Sequence, residues 1–127
     1  MIRQFVTVLS ISFLISTSDT PFATAGEADV VKVGVAAEGG GAYRFRVTVR
    51  HNDEGWKHYA DAWEVIGKDG TIYATRVLAH PHEDEQPFTR NKSGIQIPDG
   101  ITTVIIRAHD KVHAYGGKTI EVKLPGR

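Results

Sequence analysis

The sequence contains no cysteine, and its only methionine is Met1. Without thiols the chain has no disulfide bond, no cysteine nucleophile and no thiolate metal ligand, so packing alone must hold it together. Without an internal methionine, a Cu(I) site built from thioethers is excluded as well. Any bound transition metal would therefore be Zn(II), Cu(II) or Fe(II), held by nitrogen and oxygen atoms.

An excess of one charge sign and a long apolar segment are also missing. The chain has 15 acidic and 15 basic residues, and this balance gives no support for nucleic-acid binding, which requires a basic face. The longest apolar run covers only residues 5–15, whereas a membrane-spanning helix needs about 20 residues. We therefore expect no membrane span in the mature chain.

Residues 1–25 have the three-part pattern of a secretory signal peptide. Arg3 supplies the early positive charge, residues 5–15 form the apolar region, and Ala23-Thr24-Ala25 is a small-residue cleavage site. Cleavage before Gly26 would leave a single domain, residues 26–127, in the periplasm or the medium. The alternative is that the segment is retained as an N-terminal membrane anchor.

The mature region has the pattern of a strand-only protein. Along residues 43–50, apolar side chains alternate with arginine and threonine, and period two with one apolar face is typical of a half-buried strand. Seven such segments are separated by turns, namely residues 30–38, 43–51, 61–67, 71–79, 93–98, 102–108 and 118–125. This pattern predicts a seven-stranded, immunoglobulin-like antiparallel β-sandwich, with Trp63 at the centre of its core.

Short and long connections alternate along the chain. The turns at 39–41, 68–70 and 98–100 are short, whereas the connections at 51–59, 80–91 and 109–117 are long. In an antiparallel sandwich with adjacent connections, the three long loops share one end. All six histidines lie in these loops: His51, His58, His80, His82, His109 and His113.

Six clustered histidines indicate a transition-metal site, because neutral imidazole is the commonest ligand for zinc, copper and iron. Proline favours extended geometry in the preceding residue, so His80-Pro81-His82 would project two rings to one side. Glu83 or Glu85 could add an oxygen ligand. The alternative is that these histidines are structural, hydrogen-bonded loop residues.

Two segments, "HNDEGWKHYADAWEV" at 51–65 and "IIRAHDKVHAYGG" at 105–117, are similar to the iron-site motifs of the superoxide reductase (desulfoferrodoxin and neelaredoxin) family. That family has an immunoglobulin-like sandwich, and four histidines and one cysteine hold its iron. The resemblance implies the same fold and a metal site in which His51, His58 and His113 match family positions.

The chain departs from that family at three places. Asp110 stands at the cysteine position, the interval from His51 to His58 is one residue longer, and no histidine precedes His51. The family's thiolate tunes its iron for superoxide. The resemblance therefore implies the fold and a metal, and it does not carry the enzymatic activity.

The sequence thus predicts an exported sandwich that binds Fe, Cu or Zn, for redox chemistry or metal handling. The alternative is a non-enzymatic binding module that uses the same loops without metal. Its ligand platform would be aromatic, with Trp56, Tyr59, Phe88 and Tyr115 beside Arg90. Its partner would be another periplasmic protein, a peptide or a sugar. A purely structural accessory domain is the third possibility.

Overall fold

A computed structural model describes residues 26–127 of the chain, so the signal peptide predicted over residues 1–25 lies outside the described residues. The described chain forms seven strands: β1 (Asp29–Gly39), β2 (Ala42–Arg50), β3 (Ala60–Ile66), β4 (Ile72–Val77), β5 (Phe88–Gln96), β6 (Thr103–Asp110) and β7 (Ile120–Lys123). No helix in this part of the chain is long and apolar enough to cross a membrane.

The strands make two antiparallel sheets. One has the order β1-β2-β5 and the other the order β4-β3-β6-β7. The predicted seven-stranded, immunoglobulin-like antiparallel β-sandwich is therefore confirmed. In constant-type immunoglobulin domains the fourth strand joins the sheet of the first, whereas here β4 pairs with β3.

The core follows from period-two alternation on the inner faces of the two sheets. In β2, Tyr43, Phe45, Val47 and Val49 are buried, while the arginines between them are exposed. Trp63 of β3 has no exposed surface and is the largest fully buried side chain, as the sequence predicted. A single apolar cluster joins the two sheets.

Of the predicted strand boundaries that differ from the structure, two change the assignment of functional residues. β5 begins at Phe88 rather than at residue 93, because residues 88–92 pair with β2. β6 continues to Asp110, so His109 lies in a strand and not in a loop. The three long connections are consequently the β2–β3 loop (51–59), the β4–β5 loop (78–87) and the β6–β7 loop (111–119).

Candidate metal centre

The three long loops meet at one end of the sandwich, as loop parity predicted. The backbone N–H of His51 donates to Gln86 Oε1 at 3.0 Å, which joins the β2–β3 and β4–β5 loops. The N–H of Lys111 donates to the carbonyl of Tyr59 at 3.2 Å, which joins the β6–β7 loop to the same group. The glycine turn at 39–41 lies at the other end, where the carbonyl of Gly41 accepts a hydrogen bond from the N–H of Ile97 at 3.0 Å.

Two histidines and an aspartate converge at this end. His51 Nε2 lies 3.2 Å from His58 Nε2 and 3.9 Å from Asp110 Oδ2, and His58 Nε2 lies 3.1 Å from Asp110 Oδ2. A point equidistant from three atoms with these separations is about 2.0 Å from each, which is a Zn–N bond length. Among the described residues, these three form the only group of histidine, cysteine or acidic side chains close enough to hold one metal ion.

Strand alternation explains why two of these residues point inward. The buried row of β2 occupies residues 43, 45, 47 and 49, and His51 is the next odd residue. The buried row of β6 occupies residues 104, 106 and 108, and Asp110 is the next even residue. Each apolar row therefore ends in a buried polar side chain, and the two rows face each other from opposite sheets.

Asp53 sets the orientation of the His51 ring. Its Oδ1 atom accepts from His51 Nδ1–H at 2.6 Å and from the Ala60 N–H at 3.0 Å, and its Oδ2 atom accepts from the His82 N–H at 2.7 Å. A proton on Nδ1 leaves Nε2 as the ring atom that could bind a metal, and Nε2 also lies 2.9 Å from the carbonyl oxygen of Gly26. A carboxylate behind a metal-ligating histidine commonly fixes the tautomer in this way.

Asp110 contributes a buried negative charge. Burial raises the pKa of its carboxyl group, but hydrogen bonds from the backbone amides of His113 and Val112 and from the His113 side chain outweigh this and lower the pKa. All three bonds are made to Oδ2, at 3.0–3.1 Å. Oδ1 is buried without a hydrogen-bond partner. Because a buried carboxylate with one unpartnered oxygen lies beside two imidazole nitrogens, the site is suited to a cation.

His113 touches the cluster from the solvent side. Its Nδ1 atom lies 3.1 Å from Asp110 Oδ2, and its ring centroid lies 5.0 Å from that of His58. The other nitrogen of the His58 ring, Nδ1, lies 3.5 Å from Glu54 Oε2. His113 therefore holds Asp110 and lies beside the three converging donors.

His80 and His82 are not brought to this cluster. His82 is buried against Phe88, with ring centroids 4.0 Å apart, and its Nε2 atom accepts from Arg90 Nη2 at 2.9 Å. Burial, followed by the charge of Arg90, lowers the pKa of His82. His80 is exposed, and its Nδ1 atom lies 3.0 Å from the carbonyl oxygen of Pro81.

The segment from His80 to Arg90 forms a wall beside the cluster. Besides bonding His51, Gln86 donates from Nε2 to the His82 carbonyl at 2.8 Å, and the His82 amide donates to Asp53. Arg90 adds an ion pair to Glu85 at 3.3 Å. The segment therefore fixes Asp53 and the backbone of His51.

His109 is also separate from the cluster. It lies on the outer face of β6, since Ala108 and Asp110 on either side of it point inward. Its Nδ1 atom is hydrogen-bonded to Asp61 Oδ1, and its ring meets Tyr115 edge-on at 5.0 Å. The structure thus brings together two of the six predicted histidines, with His113 beside them.

The chain is similar to a protein of Halomicrobium mukohataei described as a putative lipoprotein. The two are 43% identical over 96 residues, which is 76% of this chain. The chain spans about half, 47%, of the length of that relative. No family model matches the sequence, and no solved structure matches it.

Proposed function

We propose that this chain is an exported β-sandwich protein that binds a transition-metal ion through His51, His58 and Asp110. The observation that carries the proposal is the convergence of three buried donor atoms, 3.1–3.9 Å apart, beside a carboxylate oxygen without a partner. His113 is close enough to Asp110 to control its orientation or to complete the coordination as the loop adjusts. Open positions would be filled by water or a substrate.

The donor set favours Zn(II), Fe(II) or Cu(II). Two imidazoles and a carboxylate suit all three ions, and two histidines with one carboxylate are a known arrangement for non-haem Fe(II). The resemblance of residues 51–65 and 105–117 to the superoxide reductase motifs supports iron. Because Asp110 stands where that family has its thiolate, we propose metal binding or a different redox reaction rather than superoxide reduction.

Export to the cell envelope or medium is part of the same proposal. The signal-peptide pattern of residues 1–25 supports it, and the description of the Halomicrobium relative as a lipoprotein is consistent with it. A site built from histidine and aspartate also suits an oxidising compartment, because it contains no thiol to be oxidised.

The test is a metal titration of the exported protein, purified without an affinity tag and stripped with chelator. We expect one ion per chain with a dissociation constant below about 10 μM at pH 7.5. Binding should weaken at pH 5.5, because imidazole ligands must lose a proton whose ordinary pKa is about 6.5. Zn(II), Cu(II) and Fe(II), the last under anaerobic conditions, are compared.

Matched variants locate the site. His58→Ala and Asp110→Asn should each weaken binding by more than about 100-fold, since outer partners of metal ligands alone contribute about 10–100-fold. His80→Ala and His109→Ala remove histidines that lie outside the cluster and should change affinity little. Loss of binding only in the two control variants, or no binding below about 10 μM in the natural protein, would contradict the proposal.

A second candidate function is recognition of a partner without metal. Three large apolar side chains stay exposed around the same loops: Trp56 is 66%, Val112 60% and Tyr115 41% exposed. Exposed aromatic groups of this kind mark interaction surfaces. Absence of stoichiometric metal from protein isolated from its natural source, with the fold unchanged in excess chelator, would favour this second function.

A further inference from the structure

The outer face of the three-stranded sheet carries four exposed cations, Lys32, Arg44, Arg46 and Arg50, which together form the basic face. In β2 the three arginines alternate with the buried apolar row, and Lys32 of β1 pairs with Thr48 between them. Within residues 26–127, none of the four side chains makes a salt bridge or a hydrogen bond. The four cations of the basic face therefore have no ion-pair partner, although Asp29 stands opposite Arg50 in the strand register.

On the side of the four-stranded sheet, by contrast, two of the cations have ion-pair partners. Arg107 pairs with Glu64 at 3.0 Å, and Lys68 pairs with Glu121 at 3.2 Å. On the basic-face side, the carboxylates of Asp29 and Glu38 lie near the two ends of β1, and each accepts a backbone amide proton, at 2.7 and 2.8 Å. A chain with no net charge thus concentrates unpaired positive charge on one sheet face.

The basic face is long and shallow. Arg44 and Arg50 are six residues apart on one strand, a distance of about 20 Å at 3.3–3.4 Å per residue. Gly34 and Ala36 pair with Arg46 and Arg44 and leave a shallow groove along the arginine row. A row of this length is longer than a single phosphate or carboxylate group. It matches the extent of an array of anions on a surface.

We propose that the basic face binds the surface of an anionic phospholipid membrane. The negative potential of such a surface attracts lysine and arginine, and the four cations lie on one sheet face, from which they can approach the phosphates. In that orientation β2 runs along the membrane plane, and the loops that carry His51 and His58 remain open at one end. The proposal is independent of metal binding.

The test is cosedimentation of the full exported protein with vesicles of phosphatidylcholine alone or with about one third phosphatidylglycerol. Binding should require the anionic lipid and be lost in 0.5 M NaCl, because salt shortens the screening length to a few ångströms. Arg44→Gln with Arg46→Gln should weaken partitioning about 25-fold, at about fivefold for each cation lost. Lys68→Gln with Lys123→Gln removes the same charge from exposed positions on the side of the other sheet and should have a much smaller effect.

Four results would overturn the proposal. They are equal binding to neutral vesicles, binding that survives 0.5 M NaCl, equal losses in the two double variants, and binding of soluble dextran sulfate without binding to anionic vesicles. The last result would identify a soluble polyanion as the partner. Thermal unfolding and metal affinity, measured alongside, should be the same in the arginine variant and the natural protein, because neither arginine contacts the core or the metal cluster.

Discussion

Asp53 is the residue whose replacement best tests how the candidate metal centre is built. Asp53→Asn keeps the shape of the side chain but removes its charge and one acceptor oxygen. Three donors point at the carboxylate, from His51 Nδ1, the Ala60 amide and the His82 amide, so the new NH₂ group must face at least one of them. Hydrogen bonds to charged groups contribute about 1.5–3 kcal/mol each, and a buried unpaired donor costs about 1–3 kcal/mol.

We therefore expect Asp53→Asn to lower the free energy of unfolding by about 2–4 kcal/mol in urea denaturation of the metal-free protein. Metal affinity should fall by about 10–100-fold, because His51 loses the partner that fixes its tautomer. Asp61→Asn is the matched control, since Asp61 bonds His109 on the outer sheet face. A loss below about 0.5 kcal/mol with unchanged metal affinity, or equal effects in both variants, would refute this account of the site.

Three further predictions concern stability. Trp63→Ala should lower the free energy of unfolding by about 3–5 kcal/mol, measured in urea, and a loss below about 1 kcal/mol would contradict its central place in the core. Burial, with the nearby arginine charge, lowers the pKa of His82. The stability that neutral His82 contributes is therefore present above pH 6.5 and is lost as pH falls through the folded-state pKa. The free energy of unfolding, measured in urea from pH 7.5 to 5, should fall over this range, and His82→Phe should make the fall smaller. Gly117→Ala should destabilise strongly, because a Cβ there would overlap the carbonyl oxygen of Ala28, whereas Gly34→Ala meets its nearest atom at 3.8 Å; equal melting temperatures for these two variants would contradict the packing.

The scaffold was predictable because its signals are local. Alternation in β2 and the short glycine turns are properties of a few adjacent residues, and they correctly gave seven strands, the buried Trp63 and the shared end of the long loops. β5 was predicted too short because residues 88–92 are mostly polar. Polar residues are tolerated there because β5 is the edge strand of its sheet and pairs with β2 on only one side.

The residues that make up the candidate metal centre were less predictable from the sequence. His80 and His82 have a spacing suited to chelation, but His82 is buried against Phe88 with its Nε2 atom bonded to Arg90, so the pair lies apart from the cluster. In the sequence, Asp110 stands out only as the residue at the cysteine position of the superoxide reductase motif. Extending the buried row of β6 by one step would have identified it as an inward-facing ligand.

The basic face could not be predicted from the net charge of the chain. Equal numbers of acidic and basic residues give no indication of a basic face, yet alternation in β2 gathers Arg44, Arg46 and Arg50 on one side. Net charge describes the whole chain, whereas a surface partner is sensitive only to the face it meets. The distribution of charge over the two sheet faces therefore carries information that the total does not.

The position of the candidate metal centre in the strand order bears on how the two sheets are held together. His51 directly follows β2 and Asp110 ends β6, so the cluster spans the second and sixth strands, one from each sheet. Antibody domains cross-link the corresponding pair of strands with a disulfide. In this cysteine-free domain a bound ion would serve as a reversible cross-link, adding about 2.7 kcal/mol at a free concentration 100 times its dissociation constant. Metal supply would then determine how readily the sheets separate from that end, and with it how long the protein survives proteolysis.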